Sequence, residues 1–577
     1  MARLDASAVA SLLREFGQRT AVRGGNPYRA RAYHRAAENL LTLTVPLDDL
    51  VAQGRLQEIP GVGAAIADVI ATLHQTGTHP ALEKMRREMP EGAVEMLSVP
   101  GLRPEQVVKL HRDLGITSID ELERAVREDR LKGIKGLGPA LQRKILAGLD
   151  IRRTSQGRRH LHRAAELLRK AEENLRRSHP ELKRITPAGD FRRGCELVSD
   201  LRLVAQAKKP SASAIDVGGG IPVEVAHSRN YGIALLLATG SAAHIAGLQA
   251  LAAEKGFTFS AEGLRRGKGV IATKTEEDIY AALGLRFIAP ELREGAGEIE
   301  LAAAGRLPRL VEEADIAGIL HAHTDQSDGV HTLEQMAEAT RARGYAYFGV
   351  ADHSRSAHYA GGLDVDDIEA QQAGVDKLNA RYRGRFRVFK GIESDILPDG
   401  SLDYPADVLE RFDFVVASVH SRFRLDRKEQ TERILRAVSN PYTTILGHMT
   451  GRQLLRRPGY EVDIEKILAA CAEHGVAVEI NANPWRLDLD WRWHHRALEL
   501  GCQMSINPDA HSIAELDLTR WGVVMARKGG VPKDRVLNCL DLPALSDFLA
   551  RRKARGSTRA STRRPAGRPK VRRLRAS

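Results

Sequence analysis

The chain has 577 residues, enough for three or more domains, and a net charge of +13. It contains no run of 18 or more apolar residues, its first residues, MARLDASAVASLL, lack the pattern of a signal peptide, and its four cysteines are scattered. These features argue against membrane proteins and disulfide-stabilised secreted proteins, and they predict a cytoplasmic, multidomain protein.

Residues 1–75 are predicted to form a helical module. ASAVASLLREFGQRTAV and GNPYRARAYHRAAENLLTL have helical patterns, and IPGVGAAIADVIATL adds a helical hairpin whose turn contains Gly61 and Gly63. A Gly-x-Gly turn that enters a helix is a helix-hairpin-helix signature, because its glycines let backbone amides approach a DNA phosphate. The alternative for a single such turn is simple helix packing.

Related turns recur at intervals of roughly 35 to 40 residues, within residues 76–150. VPGLRPEQVVKL contains Gly101, and IKGLGPALQRKI contains Gly136 and Gly138. In the first of these Arg103 replaces the second glycine, which makes that copy weaker or purely structural. We expect sequence-independent binding of DNA through Gly61, Gly63, Gly101, Gly136 and Gly138.

Between 150 and 316 the sequence gives two local signals. KTEEDIYAALGL has helical spacing with acidic residues near its start, as the helix dipole prefers. The Pro and Gly residues of IAPELREGAGE mark a boundary near residue 290. Residues 291–316 are therefore predicted to be a linker, whose sequence would also suit a mobile tether.

The stretch from Gly318 to Ser512 contains seven short apolar segments that each end in polar residues. Helix-like stretches such as LEQMAEATRARGY and IEKILAACAEHG lie between them. Strands that alternate with helices predict parallel pairing and a closed or nearly closed β/α barrel over residues 317–550. The seven segments are GILHAHT, YFGVADHS, VFKGIESDI, FDFVVASVHS, TTILGHMTG, VAVEINAN and QMSINPDAHS.

The ends of these seven segments deliver imidazole and carboxylate groups. In a β/α barrel the carboxyl ends of the strands meet on one face, so residues far apart in sequence would share one pocket. His321 and His323 point the same way because alternate strand residues share a face, and Asp509 and His511 repeat that spacing. Taken singly, each of these is a common loop hydrogen-bonder. Together they favour a metal site, and the set is His321, His323, Asp352, His353, Glu393, His420, His448, Glu479, Asp509 and His511.

Metal chemistry fits this stretch better than nucleophilic catalysis. No serine lies in a nucleophile elbow, and none of the four cysteines has a CxxC partner. Imidazole and carboxylate ligands suit zinc, manganese or iron. Several divalent ions held close together activate a water and clamp the attacking and leaving oxygens of a phosphoester. His331, His358 and His474 lie on helix-like or loop positions away from the strand ends, and they are predicted to be bystanders or groups that support the ligands.

The last 27 residues carry almost all of the excess positive charge. Residues 551–577 contain ten Arg and two Lys and no acidic residue. This tail is predicted to be disordered and to bind phosphate backbones with a strong dependence on salt. AGRPK within it is similar to an AT-hook, whose Arg enters a narrow minor groove. A generic basic tail is the alternative.

The segments HAHTDQSDG, ADHS, GIESDI, SVHS, GHMTGR, EINANPWRLDL and NPDAHS resemble the motif series of the PHP (polymerase and histidinol phosphatase) domain. They are most similar to the version fused to bacterial family X DNA polymerases, and the resemblance covers nearly the whole chain. It implies a distorted, seven-stranded PHP barrel that binds three divalent ions, Mn²⁺ or Zn²⁺. The imidazole-rich ligand set does not choose between the two metals.

The resemblance also implies how the three ions are held. The first would be bound by His321, His323, Glu393 and Asp509, the second by Glu393, His420 and His448, and the third by Asp328, His353 and His511. Glu393, Asp509, Arg452 and Arg486 are the implied catalytic residues. The two arginines match motif positions and are candidate phosphate clamps, because a guanidinium binds phosphate in a bidentate way. A surface ion pair is the alternative for each arginine.

ITPAGDFRRGCELVSDLRLV, which starts at Ile185, resembles the nucleotidyltransferase pattern Gly-Ser-x-Arg-Arg-Gly followed by Gly-Asp-x-Asp. In that pattern carboxylates at alternate strand positions hold two Mg²⁺ ions. Here Asp190 replaces the Ser that touches the triphosphate, Ser199 replaces a Gly, and Arg202 replaces the second metal-binding Asp. The matching residues are Arg192, Arg193, Gly194 and Asp200, with Glu224 of PVEVAHS at the place of the third carboxylate.

An arginine at a metal position places positive charge where two cations are needed, so we expect Mg²⁺ and dNTP binding at this palm to be impaired. We therefore interpret the palm as a domain that holds nucleic acid. In the first module, Val69 stands where the lyase domain of the family has a lysine that can form a Schiff base. The resemblance thus implies no Schiff-base lyase activity by that route.

The resemblance divides the chain into six parts: a lyase-like DNA-end-binding domain (1–75), helix-hairpin-helix fingers (76–150), a degenerate palm with thumb (151–290), a linker (291–316), the PHP domain (317–550) and the basic tail (551–577). It implies a 3′–5′ exonuclease that acts on gapped, nicked or 3′-ended DNA in repair, as a cytoplasmic, nucleoid-associated monomer. Two alternatives stay open. One is an active gap-filling polymerase with an editing PHP nuclease, and the other is a small-molecule phosphatase of the histidinol-phosphate type.

Overall fold

The computed structural model describes residues 4, 6–23, 27–40, 47–59, 61–100, 102–134, 136–155, 157–208, 215–216 and 221–562. The chain forms two compact units. The first contains residues 1–156 and 455–457, and the second contains residues 157–454 and 458–577. In the described ranges no helix is long and apolar enough to cross a membrane.

The first unit begins with a helical module that has its own core. Helix α1 presents Val9, Leu13 and Phe16 on one side at helical spacing, and these side chains are buried against Tyr33 and Ile70. The module confirms the helical pattern predicted for residues 1–75. Its helices are α1 (Ala6–Val22), α2 (Pro27–Leu40), α3 (Leu47–Ala52), α4 (Ala64–Thr76) and α5 (Pro80–Glu88).

A second helical module completes the first unit. Its core contains Val107, Leu110, Leu122 and Ile145, which come from three of its helices. The last helix ends at Ser155, so the boundary between the units falls at residues 156 and 157 rather than at residue 150. The helices are α6 (Glu91–Glu95), α7 (Pro104–Leu114), α8 (Ile119–Arg127) and α9 (Pro139–Ser155).

The second unit opens with the palm. Its four-stranded sheet has the order β2-β4-β6-β5, in which β4 and β6 are parallel and the other two pairings are antiparallel. The palm comprises β1 (Arg159–His160), α10 (Leu161–Ser178), β2 (Lys183–Ala188), α11 (Gly189–Arg192), β3 (Leu197–Val198), β4 (Leu201–Ala207), β5 (Ile215–Asp216), β6 (Pro222–His227) and α12 (Tyr231–Thr239).

The thumb follows, and it includes the first half of the segment predicted to be a linker, residues 291–303 of 291–316. The imidazole of His244 lies 2.6 Å from Glu298 and 2.9 Å from the hydroxyl of Tyr280, and all three side chains are buried. Because Glu298 and Ala302 belong to the thumb core, residues 291–303 are a packed part of the thumb. Its elements are α13 (Ala242–Glu254), β7 (Thr258–Ser260), β8 (Gly263–Arg266), β9 (Gly269–Ile271), α14 (Glu276–Ala282) and α15 (Glu298–Ala303).

The rest of the unit is the predicted barrel. Seven parallel strands follow one another in chain order, and an isolated parallel bridge between Ala322 and Ala510 joins the segments that follow the first and last strands. The His323 N–H donates to the carbonyl of Ala510 across this seam, 2.8 Å away. The strands are β10 (Gly318–Ile319), β11 (Tyr347–Val350), β12 (Arg387–Asp395), β13 (Phe414–Ser418), β14 (Ile445–Leu446), β15 (Ala477–Asn481) and β16 (Met504–Asn507).

Helices cover the outside of the barrel, as parallel strands require. The last one contradicts the predicted start of the basic tail, because it runs to Thr562. Arg552 is held there by the carbonyls of Gly475, His474 and Thr443, while residues 563–577 lie outside the described part of the chain. The helices are α16 (Leu333–Ala342), α17 (Val365–Tyr382), α18 (Ala406–Leu409), α19 (Arg427–Ser439), α20 (Ile464–His474), α21 (His494–Leu500), α22 (Thr519–Lys528) and α23 (Leu542–Thr562).

Candidate metal centre at the carboxyl ends of the barrel strands

Nine predicted ligand residues lie together at the carboxyl ends of the barrel strands. The positions follow from parallel pairing, because each residue lies at or just after the end of its strand or in the loop behind it. Seven of the nine side chains are almost entirely buried, whereas Asp328 and His511 remain about one-third exposed, at 35% and 31%. The nine are His321, His323, Asp328, His353, Glu393, His420, His448, Asp509 and His511.

Glu393 lies at the centre of the cluster. Its Oε1 atom is 3.0 Å from His448 Nε2, 3.3 Å from His420 Nε2 and 3.5 Å from His321 Nε2. Its Oε2 atom is 3.0 Å from His353 Nδ1 and 3.7 Å from His323 Nε2. One carboxylate therefore faces five imidazoles, which is the arrangement expected of a ligand that bridges ions.

Two further carboxylates serve the other side of the cluster. Asp328 Oδ1 lies 3.2 Å from His511 Nε2 and 3.6 Å from His353 Nε2. Asp509 Oδ1 lies 3.1 Å from His323 Nε2 and 3.6 Å from His321 Nε2. The carboxylates thus alternate with imidazoles through the whole cluster.

The three ligand sets overlap more than the resemblance implied. Ligand atoms within 4.8 Å of one another form the groups His323, Asp328, His353 and His511; His321, His323 and Glu393; and His353, Glu393 and His420. His323, His353 and Glu393 each belong to two groups, because each offers two ligand atoms. The centroid of His323 is 4.2 Å from that of His511 and 4.4 Å from that of His353.

Buried carboxylates behind the ligands orient two of the imidazoles. Glu479 Oε1 accepts from His321 Nδ1 at 2.7 Å, and Asp395 Oδ1 accepts from His420 Nδ1 at 2.5 Å. Each contact leaves Nε2 of the ring pointing at Glu393, as in the carboxylate–histidine–metal arrangement. The sequence pattern identified Glu479 only as a strand-end residue and did not predict a role for Asp395. The spacing was an available signal, because Asp395 is two residues after Glu393 and so shares its face.

Asp352 is a strand-end carboxylate with a structural role. It is buried and accepts from the backbone and hydroxyl of Thr324, from Ser327 Oγ and from Gln371 Nε2. Burial raises the pKa of Asp352, and these donors only partly oppose the shift. The residue therefore fixes the loop that follows His323. His331 is also structural, because its Nδ1 accepts from Ile513 N.

The cluster attracts positive charge. Burial alone would lower the pKa of His420, but the carboxylates of Glu393 and Asp395 outweigh it and raise the pKa to about 10. Asp328 and Asp509 likewise overcome burial at His511, whose pKa is about 9. By contrast, burial and the neighbouring His511 and His353 lower the pKa of His323 to about 3. Divalent cations would compete with protons for these imidazole and carboxylate groups.

Several buried ligand atoms have no hydrogen-bond partner within the described ranges. They include His321 Nε2, His323 Nδ1 and Glu393 Oε2. An unpaired polar atom in a protein interior is costly unless something binds it. These atoms, together with the imidazole and carboxylate chemistry of the set, fit zinc or manganese ions.

The two predicted phosphate clamps differ. Arg486 is one-fifth exposed, and its Nε lies 3.6 Å from Asp509 Oδ2 at the edge of the cluster. Arg452 donates from Nε to the Arg486 carbonyl at 3.0 Å, from Nη1 to Asp490 at 2.6 Å and from Nη2 to the Leu487 carbonyl. Because its guanidinium is engaged on three sides, Arg452 supports the loop that carries Arg486 and does not itself reach for phosphate.

The palm site brings the predicted residues together but pairs the surviving carboxylate. Arg202 Nε donates to Asp200 Oδ1 at 2.9 Å. Glu224 lies on the neighbouring strand in register with Val204, and burial raises its pKa while Arg202 opposes the shift. Arg202 thus lies between Asp200 and Glu224, the two carboxylates that remain of the three in the family pattern.

The polar groups of the motif around Asp190 are hydrogen-bonded to other residues of the protein. Asp190 Oδ2 accepts from Ser199 N, Ser199 Oγ and Asp200 N, and Oδ1 accepts from Arg193. Arg192 makes a bidentate ion pair with Glu276, at 2.7 and 2.6 Å. Gly194 lies at the end of this turn, where its N–H donates to the carbonyl of Phe191. The loop that would bind a triphosphate is therefore closed on itself.

The helix-hairpin-helix turns have the predicted backbone. Gly61 and Gly136 have φ angles of 76° and 88°, in the left-handed region that glycine favours, and a side chain at Gly63 or Gly138 would meet open space. The N–H groups at the start of α4 and α9 are thus accessible. In the second copy the Arg103 N–H is already bound by Gln106, which agrees with the expected weakness of that copy. Gly101 lies outside the described residues.

Four segments of the chain match known family models. Residues 5–79 match a helix-hairpin-helix domain and residues 93–150 a SAM-like helix-hairpin-helix tandem. Residues 234–294 match the DNA polymerase beta thumb, and residues 320–483 match the PHP domain. With the observed fold, these matches define a DNA polymerase framework joined to a PHP barrel.

Curated relatives support the same class. The DNA polymerase/3′-5′ exonuclease PolX of Bacillus subtilis (strain 168) is 33% identical over 557 residues, which cover 92% of this chain and 96% of that protein. A probable phosphatase of Thermoanaerobacter sp. (strain X514) is 28% identical over 37% of this chain and 93% of its own length. One from Shewanella sp. (strain MR-4) is 26% identical over 40% and 90%. The chain belongs to the family X DNA polymerases that carry a C-terminal PHP domain.

Proposed function

We propose that this protein is a DNA-binding, metal-dependent phosphoesterase that removes nucleotides from the 3′ ends of gapped, nicked or recessed DNA during repair. The observation that carries the proposal is the central position of Glu393 among five imidazoles, at the end of a barrel that is joined to DNA-binding modules. The Bacillus subtilis relative, which is named a polymerase and a 3′-5′ exonuclease, supports it.

The residues that would hold three divalent ions, Mn²⁺ or Zn²⁺, are the nine ligand residues of the cluster. Seven of them fall in the three groups of ligand atoms, and His448 and Asp509 contact Glu393 and His323. Ions bound there would supply an activated water and would neutralise charge on the phosphate and the leaving oxygen. Asp395 and Glu479 fix the orientation of two imidazoles. Arg486 would hold a phosphate oxygen, and Arg452 keeps the Arg486 loop in place.

DNA would be held by the glycine turns of the first unit. Gly63, Gly136 and Gly138 leave room for a phosphate at the start of a helix, where backbone N–H groups and the helix dipole both favour an anion, and Gly61 supplies the left-handed backbone of its turn. These contacts read no sequence, which suits a protein that recognises DNA ends. We expect a monomer in the cytoplasm, associated with the nucleoid, where the basic tail adds further phosphate contacts.

The test of this function is digestion of a duplex with a recessed 3′ end and a label on the 5′ end of the recessed strand. With Mn²⁺ we expect stepwise shortening from the 3′ end, which stops when a chelator removes the metal. Zn²⁺ in a parallel reaction identifies the metal that the site prefers. Absence of shortening with every divalent ion would favour the phosphatase alternative. The partial matches to probable phosphatases support that alternative. In that case DNA should not compete with hydrolysis of a small phosphate ester.

The palm is proposed to be impaired as a polymerase. The Arg202 guanidinium occupies the position of a metal-binding carboxylate and neutralises Asp200, so two Mg²⁺ ions would meet a cation and one free carboxylate, Glu224. Asp190 adds a negative charge where a triphosphate would approach. Both changes oppose binding of dNTP with Mg²⁺.

Arg202→Asp tests the cause of this impairment. We expect the intact protein to give no extension of a gapped primer with dNTP, and Arg202→Asp to gain measurable extension because it restores the second metal-binding carboxylate. Arg202→Ala, which only removes the cation, is the matched control and should remain inactive. Preserved shortening by both variants shows that they fold. Extension by the intact protein would contradict impairment and favour the active gap-filling polymerase.

A further inference from the structure

Tyr359 is a large aromatic side chain that is exposed beside the metal cluster. It is 71% exposed, although burying such a ring would be favourable. Its ring centroid lies 6.1 Å from that of His353 and 6.5 Å from that of His420. The ring is therefore within reach of a molecule whose phosphate is bound among the ligands, and none of the metal-site roles described above uses it.

The backbone beneath Tyr359 is hydrogen-bonded and tightly packed. The residue lies in a short 3₁₀ turn, His358–Ala360, between the buried Ala357 and Ala360. Ala360 N donates to the Ala357 carbonyl at 2.8 Å, and the loop then returns to the cluster, where Leu363 N donates to the His353 carbonyl at 2.9 Å. Gly362 packs so closely that a Cβ atom there would lie 1.9 Å from the Ser354 carbonyl oxygen. The ring is thus presented on a fixed support.

A second apolar side chain is exposed on another loop of the same cluster. Val330 is also 71% exposed, and its N–H donates to the carbonyl of His511 at 2.8 Å. The ligand atoms are polar and buried, whereas these two neighbours of the ligands are apolar and exposed. A substrate that fits both must carry a phosphate for the cluster and an apolar, flat part for the rim.

We propose that Tyr359 stacks on the nucleobase of the 3′-terminal nucleotide and holds it while its phosphodiester lies among the metal ligands. This deepens the exonuclease proposed above and rests on it. Every nucleobase has a π face, so stacking grips any sequence. The phenol is neutral at physiological pH, so it adds no charge that would repel the DNA. A small phosphate ester without a base would gain nothing from the ring.

The kinetic test uses two substrates that differ only in the terminal base. One oligonucleotide ends in a normal 3′ nucleotide, and the other ends in an abasic tetrahydrofuran residue. We expect Tyr359→Ala to lower kcat/KM about tenfold on the normal end, mainly through KM, and to change the abasic end less than twofold. Tyr359→Phe keeps the ring and should match the intact protein on both. Equal losses on both ends would show that Tyr359 only shields the cluster, and would overturn the proposal.

A binding test separates this proposal from the proposed function. A DNA with 2-aminopurine at its 3′ terminus, joined through a methylene-phosphonate linkage that resists hydrolysis, is bound to the intact protein, whose ligand cluster is unchanged. Stacking on Tyr359 should quench the fluorescence of the base, and Tyr359→Ala should restore it. Because this readout needs no hydrolysis, it decides the stacking even if the intact protein fails to shorten DNA. Quenching that persists without Tyr359 would refute the proposal.

Discussion

Glu393→Gln is expected to lower the rate of DNA shortening by about 10³-fold or more. Glutamine has the same shape, but it is neutral and can offer only one oxygen acceptor in place of the two carboxylate oxygens that face the five imidazoles. The charge that would bind and bridge the ions is lost. The imidazoles hold the pKa of Glu393 well below its usual range in spite of burial, so the group is ionised in the intact protein. Rates of digestion under single-turnover conditions measure the loss.

Glu473→Gln is the matched control for this substitution. It makes the same chemical change on an exposed position of α20 and should leave the rate within twofold. Metal content after dialysis adds a second readout, because Glu393→Gln should retain fewer ions per chain than either the intact protein or the control. A variant at Glu393 that kept a tenth of the activity or more would place the nuclease chemistry outside this cluster.

The ligand cluster could be predicted from sequence because two simple geometric rules place its residues together. In parallel strands the carboxyl ends share one face, and residues two apart on a strand share one side, so His321, His323 and Asp509 had to converge once the barrel closed. The β/α barrel itself followed from the alternation of strand and helix patterns. These inferences need no knowledge of how the loops run.

The supporting residues could not be predicted in this way, because their roles depend on the loops. Arg452 matches a motif position, yet its guanidinium donates hydrogen bonds to the carbonyls of Arg486 and Leu487 and to Asp490. The same is true of the linker. Its Pro and Gly residues signalled a boundary, but Glu298 lies 2.6 Å from the buried His244 and ties the segment to the thumb.

The palm motif also contacts the barrel, through residues other than those at its metal-binding positions. Glu196, which follows the motif, accepts from Trp491 Nε1 at 3.0 Å and from Arg492 at 2.8 Å on the barrel. Arg492 also donates to Asp490, the partner of Arg452. The palm loop is thereby linked through ion pairs to the loop that carries Arg486. These contacts need only the fold and the charges around the motif, so they do not depend on the residues at the metal-binding positions of the palm.

Arg192, one of the matching motif residues, is part of a buried ion-pair network in the thumb. Glu276 receives a bidentate pair from Arg192 and a further bond of 2.5 Å from Arg293, which is fully buried. Arg293 also donates to the carbonyl of Ile288. Glu276 is the carboxylate that both guanidinium groups share, so its replacement would leave both cations without this counter-charge.

Glu276→Gln is therefore expected to destabilise the thumb by about 3–5 kcal/mol, because it leaves the fully buried guanidinium of Arg293 and the partly buried one of Arg192 with a neutral partner. Native-state hydrogen exchange should show the loss in the amides of α12, α13 and α14, since stability in a large chain is measured locally. Glu277→Gln, on the exposed side of the same helix, is the control and should cost less than about 0.5 kcal/mol.

The destabilisation should also depend on pH. Burial would raise the pKa of Glu276, but Arg192 and Arg293 outweigh it and hold the pKa below the ordinary value of 4.5. A carboxyl with a depressed pKa in the folded state contributes stability that is fully present above the ordinary value and is lost as the pH falls through the folded value. The difference between the intact protein and Glu276→Gln should hence be largest near neutral pH and shrink below pH 4.5. A difference that stays constant down to strong acid would show that the substitution acts through packing and not through the charge of Glu276.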